Sequence, residues 1–468
     1  MLEHRKFHFI GIGGIGMSGL ARLLLKMGFE VSGSDLKSSE TTRTLAKEGA
    51  RIFYGHRPEN VEGAEVVVYS SAIKPENPEL RRARQLGLRI IPRAEMLLEI
   101  MKLHHTNIVV AGAHGKTTTS SVLATILSRA GLNPTVAVGG KVNGFKGENA
   151  WLGKRDFLVA EADESDGSFL HLAPEMAVIT NIDAEHLDFY STYEEIEEAF
   201  LSFVRKIKPG GLLVACKDDP GVSALLEKFP AKDLEVITYA LEEKDATYTA
   251  EVRDAGRFSL FVVYEKGKFL GEVLLKLPGR HNVQNALAAI AVARKLGLSF
   301  DEIRKGLSSF SGVRRRFEEK GRAGEILVFD DYAHHPTEIK ATLAAFRKAF
   351  PDKRLVVIFQ PHRYTRTKAL FDEFLGVFGE ADLLLLTEIY PASEKPIPGI
   401  TGEALYQALK ARRPEKSTYF AAERGLLLAR LLDLLRPGDV VVTMGAGDIY
   451  RLGEELLEEM GQSQEEVA

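Results

Sequence analysis

Lys116 and Thr117 lie in the run GAHGKTTT, after the apolar stretch Ile108–Val110 and before a stretch of helical periodicity. A glycine turn that delivers a lysine to a helix start is an arrangement that grips phosphate. Gly112 and Gly115 let the backbone curl so that successive N–H groups face phosphate oxygens. Lys116 can then reach the terminal phosphates, and the Thr117 hydroxyl a divalent cation. One position departs from the usual G-x-x-x-x-G-K-[ST] spacing, because Val110 stands where the first glycine belongs.

Phosphate chemistry also calls for carboxylates beside the metal. The run FLVAEADESD ends an apolar strand in Glu161, Asp163, Glu164 and Asp166. Like charges packed so closely repel unless a cation offsets some of them. A further strand, Ala177–Thr180, leads to Asn181, with Asp183 and His186 beyond it. His186 reads equally as a metal ligand and as an ordinary solvated or core histidine.

A second phosphate-binding signature opens the chain. In FHFIGIGGIGMSGLARLLLKMGFEVSGSD, a short strand runs into Gly11, Gly13 and Gly16, a helix follows, and a second strand ends at Asp35. Such folds place an acidic residue there for a ribose. Taken alone this run suits an NAD-dependent oxidoreductase, which would leave the GKT loop and the acidic strand end without a purpose.

The elements that must position these residues alternate between short β-branched strands and helical patterns, the mark of parallel α/β sheets. The first region has strands at Phe7–Ile10, Glu30–Gly33, Arg51–Tyr54, Glu65–Ser70 and Arg89–Ile91, a helix near Ala94–Leu103, and HHTN as a linker. The second has Ile108–Val110, Phe157–Ala160, Ala177–Thr180, Leu212–Ala215 and Glu235–Tyr239. It then turns to period-two alternation around an EKGK turn, a small antiparallel appendage. The third has Ile326–Phe329, Leu355–Phe359, Leu383–Thr387 and Val440–Met444. The expected domains are 1–105, 106–320 and 321–468.

Bulk properties narrow the partners. A net charge of −4 with 27% charged residues offers no basic stripe, which argues against nucleic acid. The single Cys216, on an apolar strand, excludes an internal disulfide framework and reads as a small buried hydrophobe. No apolar run reaches the ~18 residues of a spanning helix, and no signal-peptide core precedes the first glycine turn. The expectation is a cytoplasmic protein without stable membrane insertion; oligomeric state, monomer or homodimer, stays open.

Eight runs in order, GIGGIGMSGLA, AGAHGKTTT, EADESDGSFL, NIDAEHLD, GRHNVQNALAA, GVRRRF, DDYAHHPTEI and FQPHRYTRT, resemble the Mur ligases, ATP-dependent amide-forming enzymes of peptidoglycan precursor synthesis. The likeness spans essentially the whole chain and includes the shortened phosphate loop. It implies a three-domain α/β fold. A Rossmann-like N-terminal domain would hold a UDP-sugar, a P-loop ATPase-like central domain ATP, and a Rossmann-like C-terminal domain the amino acid. Two nucleotide signatures then serve two nucleotides.

The resemblance further implies that L-alanine is joined to the carboxylate of UDP-N-acetylmuramate through an acyl phosphate, with ATP and Mg²⁺. Gly11, Gly13, Gly14, Ile15, Gly16, Asp35, Ser70 and Ser71 would bind the UDP-sugar. Gly112, Ala113, His114, Gly115, Lys116, Thr117, Thr118, Asn282, Asn285, Arg316 and Asp331 would bind ATP. Thr117, Glu161 and His186 would serve the metal, and Lys116, Glu161, His186 and Arg316 the catalysis. Tyr332, His334, Arg363 and Arg366 would hold the amino acid. His281 is a weaker nucleotide candidate, His335 reads as structural, and Arg314 and Arg315 read equally as solvated charge. Relatives that add later residues carry a lysine carbamate where this chain has Phe200, which would instead pack in the core. Two alternatives stand beside this reading: a murein-peptide recycling ligase, and a regulatory ATPase that binds UDP-sugars without forming bonds.

Overall fold

The computed structural model describes residues 4–185, 189–229, 233–392 and 394–461. Three sheets follow one another along the chain. The first contains β1 (Lys6–Ile10), β2 (Glu30–Asp35), β3 (Arg51–Tyr54), β4 (Val66–Tyr69) and β5 (Arg89–Pro92). It is wholly parallel in the order β3-β2-β1-β4-β5. The order reverses at β1, so the glycine turn after Ile10 opens into the crevice where such sheets take ligands.

The second sheet holds β6 (Thr106–Ala111), β7 (Pro134–Val142), β8 (Glu148–Trp151), β9 (Lys154–Glu161), β10 (Met176–Ile179), β11 (Leu212–Cys216), β12 (Glu235–Ala240), β13 (Tyr248–Ala255), β14 (Phe258–Glu265) and β15 (Lys268–Leu275). Its order is β15-β14-β13-β12-β11-β10-β6-β9-β7-β8. The alternating stretch forms the expected antiparallel appendage, joined to the edge of the main sheet. β13 pairs parallel with β12 through Tyr239 and Tyr248, and the antiparallel hairpin prolongs the main sheet. The third sheet contains β16 (Glu318–Ala323), β17 (Ile326–Asp331), β18 (Leu355–Phe359), β19 (Leu383–Leu386), β20 (Ser417–Phe420) and β21 (Val440–Met444), in the order β16-β17-β21-β18-β19-β20. Only β16 runs antiparallel there.

The first two sheets share one core, in which Phe7, Leu20 and Met96 join Ala150, Leu158 and Phe169 in a continuous buried cluster. Polar groups fasten the same joint. Arg22 donates to Asn149 Oδ1 at 2.9 Å, and Asn149 Nδ2 donates to the Ile15 carbonyl at 2.6 Å. HHTN is a built joint rather than a plain linker. His104 is buried between the Ile100 carbonyl and the Thr135 hydroxyl, and Thr106 and Asn107 already belong to β6.

The third sheet has its own cores on its two faces. It meets the second through residues 315–317, where Phe317 stacks on Phe346 at 4.0 Å. Arg315 and Phe317 both have positive φ, 62° and 49°, a strained backbone that brackets Arg316. Cys216 ends β11 as a buried small hydrophobe, and burial pushes its thiol up to about 12. Among the described residues, no helix is long and apolar enough to cross a membrane.

Candidate active site

Between β6 and the helix Lys116–Arg129, the loop curls through Gly112 (φ 132°) and Gly115 (φ 82°). Both glycines are forced by contact as well as by φ. A Cβ on Gly112 would lie 2.1 Å from Thr180 Oγ1, and one on Gly115 would lie 2.4 Å from Asn285 Oδ1. Asn181, just past β10, holds the loop from outside: its Oδ1 accepts from His114 N at 2.8 Å, and its Nδ2 donates to the His114 carbonyl at 3.0 Å.

Glu161 ends β9 beside the loop. Its carboxylate accepts from Thr117 Oγ1 at 3.1 Å, Ser120 Oγ at 3.2 Å and Gly139 N at 2.6 Å. Burial raises its pKa against those donors and Lys116. A half-buried carboxylate next to a hydroxyl at the helix start is the oxygen set that suits a hard divalent cation. Lys116 Nζ is ion-paired with Glu164 at 2.8 Å and also donates to the Ala113 carbonyl at 3.0 Å. Asp163 pairs with Arg93 of the first domain at 2.8 Å.

Two cavities meet at this loop. One, of about 1040 Å³, runs from Gly14, Ile15, Gly16, Ser70 and Ser71 past Arg93 to Lys116, Glu161, Tyr332 and His334. The other, of about 590 Å³, is walled by His114, Thr118, Asn282, Asn285 and Asp331, with His281 also on its wall. Gly115, Thr117, Arg316 and Glu338 belong to both walls. Asn282 and Asn285 share a helix face, Asn285 Nδ2 lying 3.5 Å from Asn282 Oδ1. Asp331 accepts from Phe317 N and Ala333 N at 2.7 and 2.8 Å, while burial pushes its carboxyl up to about 6.

Several residues stand elsewhere than on these walls. Gly11, Gly13 and Asp35 form the turn behind the large cavity, where the Asp35 carboxylate accepts from Gly13 N at 2.9 Å. Arg363 caps the short helix Tyr364–Ala369, and Arg366 lies 3.2 Å from His362 Nδ1. The His362 ring in turn meets His334, with centroids 5.7 Å apart. His186 lies outside the described residues. His335 is structural as expected: it is buried and caps the helix Pro336–Ala349.

The sequence reading missed two residues and left one open. Arg315 is not solvated charge. Its guanidinium pairs with buried Asp330 at 2.8 Å, donates to the Gly445 and Gly447 carbonyls, and lies over the Tyr332 and Tyr450 rings. Glu338, unnoticed in PTEI, faces His114 Nδ1 at 3.5 Å, Arg316 at 3.4 Å and His334 Nδ1 at 3.3 Å. Arg93 was likewise passed over. An acid three residues after a His-His pair, at a helix start, was the available signal for Glu338. His114, Glu185 and His335 also cluster within 4.8 Å. The His114 nitrogens face Asp183 at 2.9 Å and Glu338 at 3.5 Å, and those carboxylates outweigh burial and push its imidazole up to about 10.

Comparison with known proteins agrees along the whole chain. Residues 6–105 match the Mur ligase family, catalytic domain; residues 110–293 the Mur ligase middle domain; and residues 315–447 the Mur ligase, glutamate ligase domain. The chain is 51% identical over 462 residues to a UDP-N-acetylmuramate–L-alanine ligase of Syntrophobacter fumaroxidans, covering 98% of this chain and 97% of that one. A solved UDP-N-acetylmuramate–alanine ligase from Thermotoga maritima aligns with a TM-score of 0.83 at 32% identity, over 97% of this chain and 99% of that one. A murein peptide ligase from Psychrobacter arcticus aligns with a TM-score of 0.72 at 26% identity, over 98% and 99%.

Proposed function

This chain belongs to the Mur ligase family, and from that premise we propose that it joins L-alanine to the carboxylate of UDP-N-acetylmuramate at the expense of ATP. The observation that carries the reading is the meeting of two cavities at one phosphate loop. The cavity on the glycine turn suits the UDP-sugar, and the cavity beside Asn282, Asn285 and Asp331 suits ATP. Their shared wall is where the sugar's carboxylate and the γ-phosphate come together.

A carboxylate is a poor electrophile, so it must first be phosphorylated. Its oxygen attacks the γ-phosphate, ADP leaves, and an acyl phosphate results. The amine of L-alanine then attacks that carbonyl and phosphate departs. The protein's task in the first step is to place the reactants and to neutralise charge. Gly14 and Gly16 start a helix whose N–H groups face the UDP diphosphate, with Ser70 beside them. Lys116 exchanges Glu164 for the γ-phosphate. Arg316, held by Glu338 at 3.4 Å, turns to the same group. Thr117 and Glu161 would hold Mg²⁺, which when bound supplies further positive charge at the phosphates. Tyr332 and His334 border the space left for alanine, with Arg366 behind them through His362.

The test is ADP release. We expect it only when Mg²⁺, UDP-N-acetylmuramate and L-alanine are all present. Fast turnover with an alanyl tripeptide and none with alanine would favour the recycling ligase. ATP hydrolysis without amide formation would favour the regulatory ATPase.

A further inference from the structure

The second half of this reaction needs a proton acceptor. Alanine arrives as an ammonium ion, and its nitrogen has no lone pair until a proton leaves. Among the described residues, His334 is the one imidazole on the wall of the large cavity. His114 is held between two carboxylates, and His335 is buried under its helix cap.

The surroundings of His334 assign its tautomer. Nδ1 lies 2.9 Å from the Tyr332 carbonyl oxygen and 3.3 Å from Glu338 Oε2. A carbonyl only accepts, so Nδ1 carries the proton and Nε2 keeps the lone pair. Glu338 is itself fixed by His114 and Arg316, and the His334 amide donates to it at 3.2 Å. A base oriented by a carboxylate is the arrangement that accepts a proton and shelters the cation so formed.

Resting on the ligase reading, we infer that His334, oriented by Glu338, is the general base that deprotonates the ammonium of L-alanine. Nε2 takes one proton, and the freed electron pair forms the N–C bond to the acyl carbonyl. When the tetrahedral adduct collapses, the C–O bond to phosphate breaks and its electron pair leaves with phosphate. The departing phosphate takes the second N–H proton. The balance is acyl phosphate, ammonium and neutral imidazole going to amide, hydrogen phosphate and imidazolium.

The electrostatics fit a base that waits for its substrates. Burial and then Arg366 push the imidazole down to about 4, while Glu338 and Glu185 act the other way. Two anions arrive with the substrates, the alanine carboxylate and the acyl phosphate. Each offsets nearby cationic charge, so Nε2 becomes more basic as the site fills.

The experiment compares two half-reactions in His334→Gln and His334→Asn. Acyl-phosphate formation is read as bridge-to-nonbridge oxygen scrambling in ATP, with UDP-N-acetylmuramate present and alanine absent. Amide formation is read as kcat and KM for alanine across pH. We expect kcat at neutral pH to fall by ~10²–10⁴, the loss of a general base. Scrambling should stay within about threefold, because it precedes the proton transfer, and the alanine KM should change far less than kcat. The variants' kcat should climb with pH while the wild type levels off, because free amine then replaces the missing base. Wild-type kcat with a raised alanine KM would overturn the inference and leave His334 as a binding residue only. Scrambling that falls in step with kcat would overturn it in favour of a structural role. A wild-type protein that releases no ADP with alanine overturns the ligase reading itself, and this inference with it.

Discussion

Lys116 Nζ and Glu164 Oε1 stand 2.8 Å apart, so the lysine of the phosphate loop is paired with a carboxyl group that a bound γ-phosphate would have to replace. Burial pushes Glu164 up to about 7, with Lys116 pulling down and Asp163 pushing up. The pair is thus a competitor that the γ-phosphate must displace.

Two substitutions separate the roles. Lys116→Ala should lower kcat by ~10²–10³, the usual cost of losing one preorganised electrostatic partner. Glu164→Gln should tighten ATP binding by about tenfold, because a hydrogen bond to a charged group, worth ~1.5 kcal/mol or more, no longer has to be given up. Calorimetric titration with ATP reads the second effect. Unchanged or weaker binding would mean that Glu164 keeps Lys116 in the nucleotide complex too.

The glycine turn makes a different prediction. A Cβ on Gly13 would lie 2.7 Å from Asp35 Oδ2 and 3.1 Å from Thr42 Cγ2. Gly13→Val therefore evicts the carboxylate that accepts from Gly13 N. The turn that starts the first helix should then misplace its N–H groups. We expect KM for UDP-N-acetylmuramate to rise far more than KM for ATP, with no NAD affinity in wild type or variant. Equal effects on both nucleotides in steady-state kinetics would refute a local role.

What could be read from sequence was local. One run of eight residues, GAHGKTTT, carries Gly112, Gly115, Lys116 and Thr117, so their spacing suffices to place them at a helix start. The strand that ends at Glu161 was legible for the same reason. β7 and β8 were not, because glycines and polar residues interrupt PTVAVGGKVNGFKGENAW and hide any period. Arg315 could not be told from surface charge because a triple-arginine run contains no clue to Gly445 and Gly447, which are brought to it only by the pairing of β17 with β21. Glu338 was legible only as an acid at a helix start, because its partners His114 and Arg316 come from other parts of the chain.

His114 joins the central domain to the third one, and its charge sets a pH dependence. Burial opposes that charge, but Asp183 and then Glu338 outweigh it and push the imidazole up to about 10. Below the ordinary histidine pKa of ~6.5 the ring is protonated folded or unfolded, and its contribution to stability is fully present. From there to about 10 only the folded state keeps the proton, so the contribution shrinks with rising pH and is then lost. Asp183 is held below its usual range, so its share is lost instead in acid. The melting-temperature gap between wild type and His114→Asn should narrow between pH 7 and 10. A gap that stayed constant over that range would show that the ring is neutral.

Phe200 bears on whether this protein needs carbon dioxide. It lies on the helix Tyr193–Val204, is 1% exposed, and meets the Phe169 ring edge-on at 5.3 Å. A side chain packed this way has no amine to form a carbamate and no path to a metal. Its work is in the core shared by the first two domains, so Phe200→Ala should destabilise by ~3–5 kcal/mol. Lys206 and Lys208 follow the helix, and Lys208 is already paired with Glu175, which leaves it no part in the site. Catalysis should therefore be indifferent to carbon dioxide. Enzyme assayed in degassed, bicarbonate-free buffer should match enzyme assayed with added bicarbonate. Activity that falls on depletion and returns with bicarbonate would reveal a carbamylated lysine elsewhere, and Phe200 would not occupy the position assigned to it.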